Sequence, residues 1–216
     1  VDWGDGSNNV ITTYNQTEIT HTYASTSTFT IKMSGPIKGF RFASGGDRLK
    51  ILNISKWGDL NITSDSAFQS CANLTASATD APLISTLSLS STFQSATAFN
   101  GNIGNWDVTN VTNMSNMFLG CTVFNQNLNS WNTANVTNMQ SATAFNGNIS
   151  SWNTGLVTNM ISMLILCPNF NQNIGSWNVG NVNNMQGMFQ GCTAFNQNLN
   201  SWNTAKVTTM FNMFYT

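Results

Sequence analysis

The chain has 216 residues and a formal net charge of −1; 7% of its residues are charged and 41% are hydrophobic. This balance excludes a basic protein that binds nucleic acid by neutralising phosphates, and no apolar run is long enough to span a membrane. Residues 81–216 carry only Asp107 and Lys206 as charged side chains, whereas acid–base catalysis needs several titratable groups gathered in one pocket. We therefore predict that the chain is not an enzyme and holds no cofactor or metal.

Residues 1–36 contain runs of alternating polar and apolar residues, in VDWGDGS, ITHTY and TFTIKMSG, separated by turn residues. This pattern is typical of antiparallel strands. Asp2 and Asp5 are spaced like the start of a calcium loop, but the rest of the ligand set is missing, which favours a structural turn. His21 has no nucleophile at a recognisable spacing and is interpreted as a strand residue. Residues 37–60 are predicted to form an N-terminal cap or linker.

A sequence repeat organises the rest of the chain. It is marked by five tryptophans at Trp106, Trp131, Trp152, Trp177 and Trp202, with spacings of 25, 21, 25 and 25 residues. One full unit reads FNGNIGNWDVTNVTNMSNMFLGCTV, and a period of this size indicates stacked repeats. We predict a solenoid over residues 61–216 that is incomplete at its C-terminal end.

Each unit predicts a short parallel strand followed by a short helix. The strand spacing, L-x-x-L-x-L, is matched by Ile103, Trp106 and Val108. One face of a two-turn helix follows, at i, i+3, i+4 and i+7, and is formed by Met114, Met117, Phe118 and Cys121. The predicted fold class is therefore an α/β solenoid of leucine-rich-repeat-like coils, preceded by a small antiparallel β segment.

Two other residue types recur in register. Asparagine follows each repeat phenylalanine, at Asn100, Asn125, Asn146, Asn171 and Asn196, and recurs two residues later. These amides are predicted to form an internal hydrogen-bonded ladder and to satisfy turn backbone. One repeat position is shared by Cys71, Cys121, Cys167 and Cys192, with Ala96 and Ala142 as its other occupants. We interpret these cysteines as small buried residues rather than metal ligands or disulfide partners.

The motifs resemble two known families. VDWGDGS, HTY and TFTIKMSG resemble the second half of a PKD-type β-sandwich, which implies a partial PKD-like segment over residues 1–36. FRFASGGDRLKILNISKWG, AFQSCANLTASATDAP and the recurring VTNM, MFxGC and FNxNIxxW motifs resemble the BspA-like leucine-rich-repeat surface proteins over most of residues 37–216. This resemblance implies a right-handed solenoid with a parallel sheet on one side, in secreted or surface-displayed proteins that adhere to host or matrix molecules. It supplies no catalytic residues.

The function expected from this resemblance is adhesion or recognition by a non-enzymatic extracellular protein at a cell or virion surface. Its partner would be a host or matrix glycan or protein. An architectural component of a surface filament or virion is the main alternative, and a regular ice- or crystal-binding surface is another.

A candidate binding face is formed by the outward positions of the predicted strands. They are Asn105, Asp107, Thr109, Ser130, Asn132, Ser151, Asn153, Ser176, Asn178, Ser201 and Asn203. These side chains are small and polar, which suits hydrogen bonds to carbohydrate, and they lack the aromatic anchors typical of protein interfaces. We expect weak, multivalent binding.

The C-terminal end of the solenoid is predicted to be open. The last unit supplies Met210, Met213 and Phe214, and no FNxN segment follows them. Terminal repeats normally need a polar cap, so further sequence, a neighbouring chain or a second copy is expected to cover this end.

One unit is four residues shorter than its neighbours. Aligning Met139 and Ala142 with the preceding unit shows that one methionine and one phenylalanine are missing. Their loss would leave a void there if nothing filled it. We predict that one or more of Ile161, Ile165 and Leu166 lean into it.

Overall fold

The computed structural model describes residues 1–13, 15–35, 37–141 and 145–216. The chain forms two compact units, Val1–Ile37 and Lys38–Thr216. The first unit contains a 3₁₀ helix at Thr17–Ile19. Among the described residues, no helix has the length and apolar character needed to span a membrane.

The first unit is built around Trp3. Asp2 forms antiparallel bridges with Asn8 and Lys32. The Trp3 indole donates a hydrogen bond to Asn9 Oδ1 at 2.7 Å, and the Tyr23 hydroxyl donates to the Trp3 carbonyl at 2.9 Å. Because these bonds join the start of the unit to segments far along its chain, they fix its turns around one buried indole.

Five short strands lie at the start of the repeats. They are β1 (Ile37–Lys38), β2 (Asn53–Ile54), β3 (Leu60–Ile62), β4 (Thr75–Ala76) and β5 (Leu83–Ile84). They form a three-stranded sheet in the order β1-β3-β5 and a two-stranded sheet of β2 and β4. The β2–β4 and β3–β5 pairs are parallel, as expected when equivalent parts of successive repeats lie side by side.

Beyond β5, successive repeats pair through single parallel bridges. The bridged residues, in chain order, are Ser88, Asn113, Asn138, Asn159, Asn184 and Thr209. Their separations of 25, 25, 21, 25 and 25 residues reproduce the period of the tryptophans. Each repeat therefore hydrogen-bonds to the next, and the short repeat keeps its place in this series.

The fold class predicted from the sequence, an α/β solenoid of strand-plus-helix coils, is wrong. The described residues contain no α-helix, and the secondary structure of the second unit is limited to two small parallel sheets and isolated bridges. Residues 105–109, predicted as a strand, contain turns and no strand. Residues 115–120, predicted as helix, are a run of turns.

Left-handed backbone explains why the helices do not form. Ser91 and Ser95 have φ of 56° and 60°, and most other repeats place positive φ at the same two positions. A left-handed residue interrupts a right-handed helix and costs about 1–2 kcal/mol. The backbone bonds outward instead: the Ser91 N–H donates to the Ser115 carbonyl at 2.9 Å, and the Ser95 N–H donates to the Leu119 carbonyl at 2.7 Å. Hydrogen bonds between repeats thus replace those of a helix.

Leu166 occupies one of these left-handed positions, with φ of 55° and a side chain that is 60% exposed. We expect Leu166→Gly to stabilise the protein. Glycine relieves about 1–2 kcal/mol of backbone strain at this left-handed position. It also makes the unfolded chain more flexible, which costs only about 0.4–1 kcal/mol of stability. Urea unfolding should show a higher midpoint. The control is Leu156→Gly, at an exposed position without positive φ, which should lower the urea midpoint. Equal decreases of the midpoint in both variants would contradict the argument.

Aromatic rings form the centre of the repeat core. Phe124 stacks between Phe99 and Phe145, with ring centroids 5.9 Å away on each side. Trp131 and Trp152 stack at 6.1 Å. The predicted buried role of the cysteines is confirmed: buried thiols are found at Cys71, Cys121, Cys167 and Cys192.

A cavity of about 30 Å³ lies at the short repeat. Its lining consists of Met114, Met117, Phe118, Trp131, Met139, Ser141, Trp152 and Met163. None of Ile161, Ile165 and Leu166 lines this cavity; Ile161 and Ile165 are half-buried and Leu166 is exposed, so their filling of the gap beside Ala142 stays a prediction. Leu166 is held outward, since its left-handed N–H bonds to the Gln190 carbonyl. Ala142, beside which the void was expected, lies outside the described residues.

Candidate interaction surface

The first column of the predicted binding face holds the repeats together. Its members, the serine column, are Asn105, Ser130, Ser151, Ser176 and Ser201, and each donates to a carbonyl of the preceding repeat. Ser130 Oγ donates to the Gly104 carbonyl at 2.5 Å, for example. These side chains are exposed, but their donors are already engaged in contacts between repeats.

The second column caps its own turns. It consists of Asp107, Asn132, Asn153, Asn178 and Asn203, and each Oδ1 accepts the backbone N–H two residues further on. The Asn153 bond to Gly155 measures 3.0 Å. This is the side-chain turn that Asn and Asp favour, and it aims the outer part of each side chain at solvent. All five residues are exposed, whereas Thr109, the remaining predicted face residue, is half-buried.

The four asparagines of this second column form a surface that we call the amide row. Within the part of the chain that the structure describes, their Nδ2 groups have no hydrogen-bond partner, and each carries two N–H donors. Neighbouring members belong to successive repeats, which are joined by parallel bridges. The row therefore presents neutral donors, one asparagine to each repeat.

The two charges of residues 81–216 lie at opposite ends of this region of the sequence. Asp107 precedes the amide row, and the hydrogen bonds from Thr109 hold the pKa of the Asp107 carboxyl below its usual range. Lys206 Nζ donates to Asn181 Oδ1 at 2.7 Å. The amide row between them is uncharged, so any ligand would be recognised there by hydrogen bonds rather than by charge.

The predicted internal asparagine ladder is confirmed. Asn125 donates its backbone N–H to Asn100 Oδ1 at 3.0 Å, and Asn146 donates to Asn125 Oδ1 at 3.1 Å. Asn171 and Asn196 continue the series. The asparagines two residues further on accept N–H groups of their own turns, as predicted. The side-chain oxygens of these residues are therefore engaged within and between repeats.

The His21 side chain pairs with Asp5 in the first unit. His21 Nε2 lies 2.7 Å from Asp5 Oδ2, and its ring stacks on Trp3 with centroids 4.9 Å apart. His21 lies outside any strand, so its interpretation as a strand residue is wrong. Asp5 Oδ1 accepts both the N–H and the hydroxyl of Ser7. Among the described residues, no group of three or more His, Cys, Asp or Glu side chains could hold a metal ion.

Acid should weaken the first unit through Asp5. The hydrogen bonds from Ser7, and then the contact with His21, lower the pKa of Asp5 from 3.8 to about 2. A carboxyl with a lowered folded-state pKa contributes stability above its ordinary pKa and loses it as the pH falls toward the lowered value. We therefore expect the Trp3 indole NMR signal to report loosening between pH 3.8 and about 2. Asp5→Asn should reduce this pH dependence; an unchanged profile would contradict the assignment.

Comparison with known proteins identifies a family for the repeats. A family model described as "Mycoplasma protein of unknown function, DUF285" matches residues 62–142 and again residues 140–216. These matches agree with the resemblance of the repeats to BspA-like proteins. No curated protein and no solved structure matches the chain. The resemblance of residues 1–36 to a PKD-type domain lies outside the two matches and stays a prediction.

Proposed function

We propose a function from the premise that this chain belongs to the DUF285 family, whose two matches together span residues 62–216. The proposed function is non-enzymatic recognition at an extracellular cell or virion surface, with the amide row as the contact surface. The ligand class is a glycan, which offers hydroxyl, ring and carboxylate oxygens as acceptors along a repeating chain.

The free donors of the amide row are the observation that carries this proposal. Asn132, Asn153, Asn178 and Asn203 each offer an exposed amide whose oxygen is fixed by a turn. A fixed oxygen pre-orients the N–H donors, which lowers the ordering cost of binding. One exposed hydrogen bond contributes only about 0.5–1.5 kcal/mol, so useful affinity needs several contacts along the row.

Charge supports a binding role over a catalytic one. The repeats beyond residue 80 carry Asp107 and Lys206 as their charged side chains, and the amide row itself has none. General acid–base or nucleophilic catalysis relies on titratable groups brought within hydrogen-bond reach of each other. Recognition by neutral amides needs no such groups.

The test replaces donors without disturbing the turns. Asp107 caps the same turn with a carboxylate, so aspartate at the four row positions should keep the fold and remove the N–H donors. We expect the unaltered chain to bind a member of a panel of immobilised neutral and acidic polysaccharides. The fourfold variant, Asn132→Asp, Asn153→Asp, Asn178→Asp and Asn203→Asp, should lose at least about tenfold in affinity, or about 1.4 kcal/mol.

A matched control adds the same charge elsewhere. It carries Asn110→Asp, Asn169→Asp, Asn183→Asp and Asn200→Asp, all at exposed positions outside the row. This control should bind like the unaltered chain. Equal losses in both variants would assign the effect to charge, and no binding to any polysaccharide would contradict the proposal.

A further inference from the structure

The cavity at the short repeat is lined mainly by thioether and aromatic side chains. The chain has ten methionines, and this cavity gathers four of them. They are Met114, Met117, Met139 and Met163, and none is more than 7% exposed. The cavity therefore brings four thioether side chains together inside the repeat core.

Three successive repeats supply these methionines. The repeat before the short one supplies two, the short repeat one and the repeat after it one. The Met114 N–H donates to the Asn138 carbonyl at 3.0 Å. The Met139 N–H donates to the Asn159 carbonyl at 3.3 Å, so the three backbones are held side by side. The positions of the four methionines are therefore set by hydrogen bonds between repeats and not by one local turn.

The cavity has room for one ion but offers little to water. Its volume of about 30 Å³ exceeds the roughly 10–15 Å³ that a water-sized guest needs. Among the described residues that line it, Ser141 has the one hydroxyl. The Trp131 and Trp152 indole N–H groups donate to carbonyls of residues outside the lining, at 2.9 Å each. Because a buried water needs about two to four polar partners, this lining favours a guest that binds to sulfur.

We propose that this cavity binds a soft monovalent metal ion of the Cu(I) class through its methionine thioethers. Thioethers are soft ligands that select Cu(I), whereas Zn²⁺, Ca²⁺ and Mg²⁺ prefer thiolate, imidazole or oxygen ligands. The Phe118, Trp131 and Trp152 rings complete the lining and limit the access of water that would compete for the ion. The residues involved are separate from the amide row, so this site does not depend on the proposed glycan function.

Charge also favours a monovalent ion. The described residues that line the cavity carry no formal charge, so nothing in the lining neutralises the charge of a bound ion. The cost of taking an ion out of water rises with the square of its charge, and a divalent ion would therefore be held much less well. Thioethers do not titrate, so the scarcity of charged residues that argues against catalysis does not argue against this site.

The experiment follows the methionine methyl groups by NMR and uses Ag(I), which is stable in air, as the probe. Silver also binds thiols, so the ¹³C-methyl-labelled full chain carries alanine at its four cysteine positions, as the natural sequence does at Ala96. We expect the signals of the four cavity methionines to move together and saturate, while those of Met185 and Met188 stay in place. The unaltered chain is titrated in parallel and should show the same movement, which keeps the test valid if the alanine chain does not fold.

Two double variants at equivalent repeat positions make the result decisive. Met114→Leu with Met117→Leu removes two of the proposed ligands. Met185→Leu with Met188→Leu makes the same change at buried positions that do not line the cavity. Leucine conserves the volume of methionine, so both variants should fold. The first should bind silver at least about tenfold more weakly, and the second should bind it like the parent chain. The proposal is overturned if the cavity methyl signals do not move, if all methionine signals move alike, or if both variants lose affinity equally.

Discussion

Phe124→Ala should lower the free energy of unfolding by about 3–5 kcal/mol, the usual cost of removing a buried phenylalanine. Phe124 is fully buried, and its ring lies 5.9 Å from Phe99, 4.2 Å from Phe118 and 5.9 Å from Phe145. The substitution leaves a cavity that touches the repeats on both sides. Urea unfolding followed by tryptophan fluorescence measures the loss. Val123→Ala, at the 51% exposed neighbour, should change stability by less than about 0.5 kcal/mol.

The site of the loss can also be tested. Each repeat hydrogen-bonds mainly to its neighbours, so the damage should be greatest close to the cavity. In hydrogen exchange, the Met114 N–H, which donates to the Asn138 carbonyl at 3.0 Å, should lose more protection than the Met185 N–H, which donates to the Thr209 carbonyl at 3.0 Å. Uniform loss along the chain would mean that the repeats unfold as a single cooperative body.

The repeat period and the buried residues were predictable because both are properties of spacing. Met114, Met117, Phe118 and Cys121 are all buried, as their positions in the repeat predict. The helix was not predictable from the same spacing, since left-handed turns also bring these side chains to one side. The sequence did contain a signal against the helix, because several repeats carry two small residues four positions apart. Gly187 and Gly191 are such a pair, and their φ angles are 60° and 74°. Glycine adopts this conformation readily and weakens a helix.

The sequence predicted that the residues of the candidate binding face are exposed, but it did not predict the hydrogen bonds that their side chains make. The sequence places Asn153 and Asn178 outside the core, and the Asn-x-Gly pattern that both begin is a turn signal that could have indicated their capping role. The serine column could not be assigned in the same way. Its bonds, such as Ser151 Oγ to the Asn129 carbonyl at 2.5 Å, depend on how two repeats lie against each other. Sequence spacing along one repeat does not contain that information.

The indole hydrogen bonds between repeats should be measurable by comparing two tryptophans. Trp131 and Trp106 are both 3% exposed, so Trp→Phe removes a similar buried area at each site. The Trp131 indole N–H donates to the Ile103 carbonyl at 2.9 Å. The Trp106 indole N–H is buried without an acceptor among the described residues. The difference between the two variants therefore isolates the hydrogen bond and the cost of burying an unpaired donor.

Trp131→Phe should destabilise the protein by about 1.5–4.5 kcal/mol more than Trp106→Phe. The first change loses a net hydrogen bond of about 0.5–1.5 kcal/mol, whereas the second removes a buried donor whose desolvation costs about 1–3 kcal/mol. Because Trp131 also lines the cavity of the short repeat, Trp177→Phe serves as a check. Trp177 is also 3% exposed, its indole donates to the Ile149 carbonyl at 3.3 Å, and it does not itself line the cavity. Equal losses at Trp106 and Trp177 in urea unfolding would show that the indole bonds contribute nothing beyond packing.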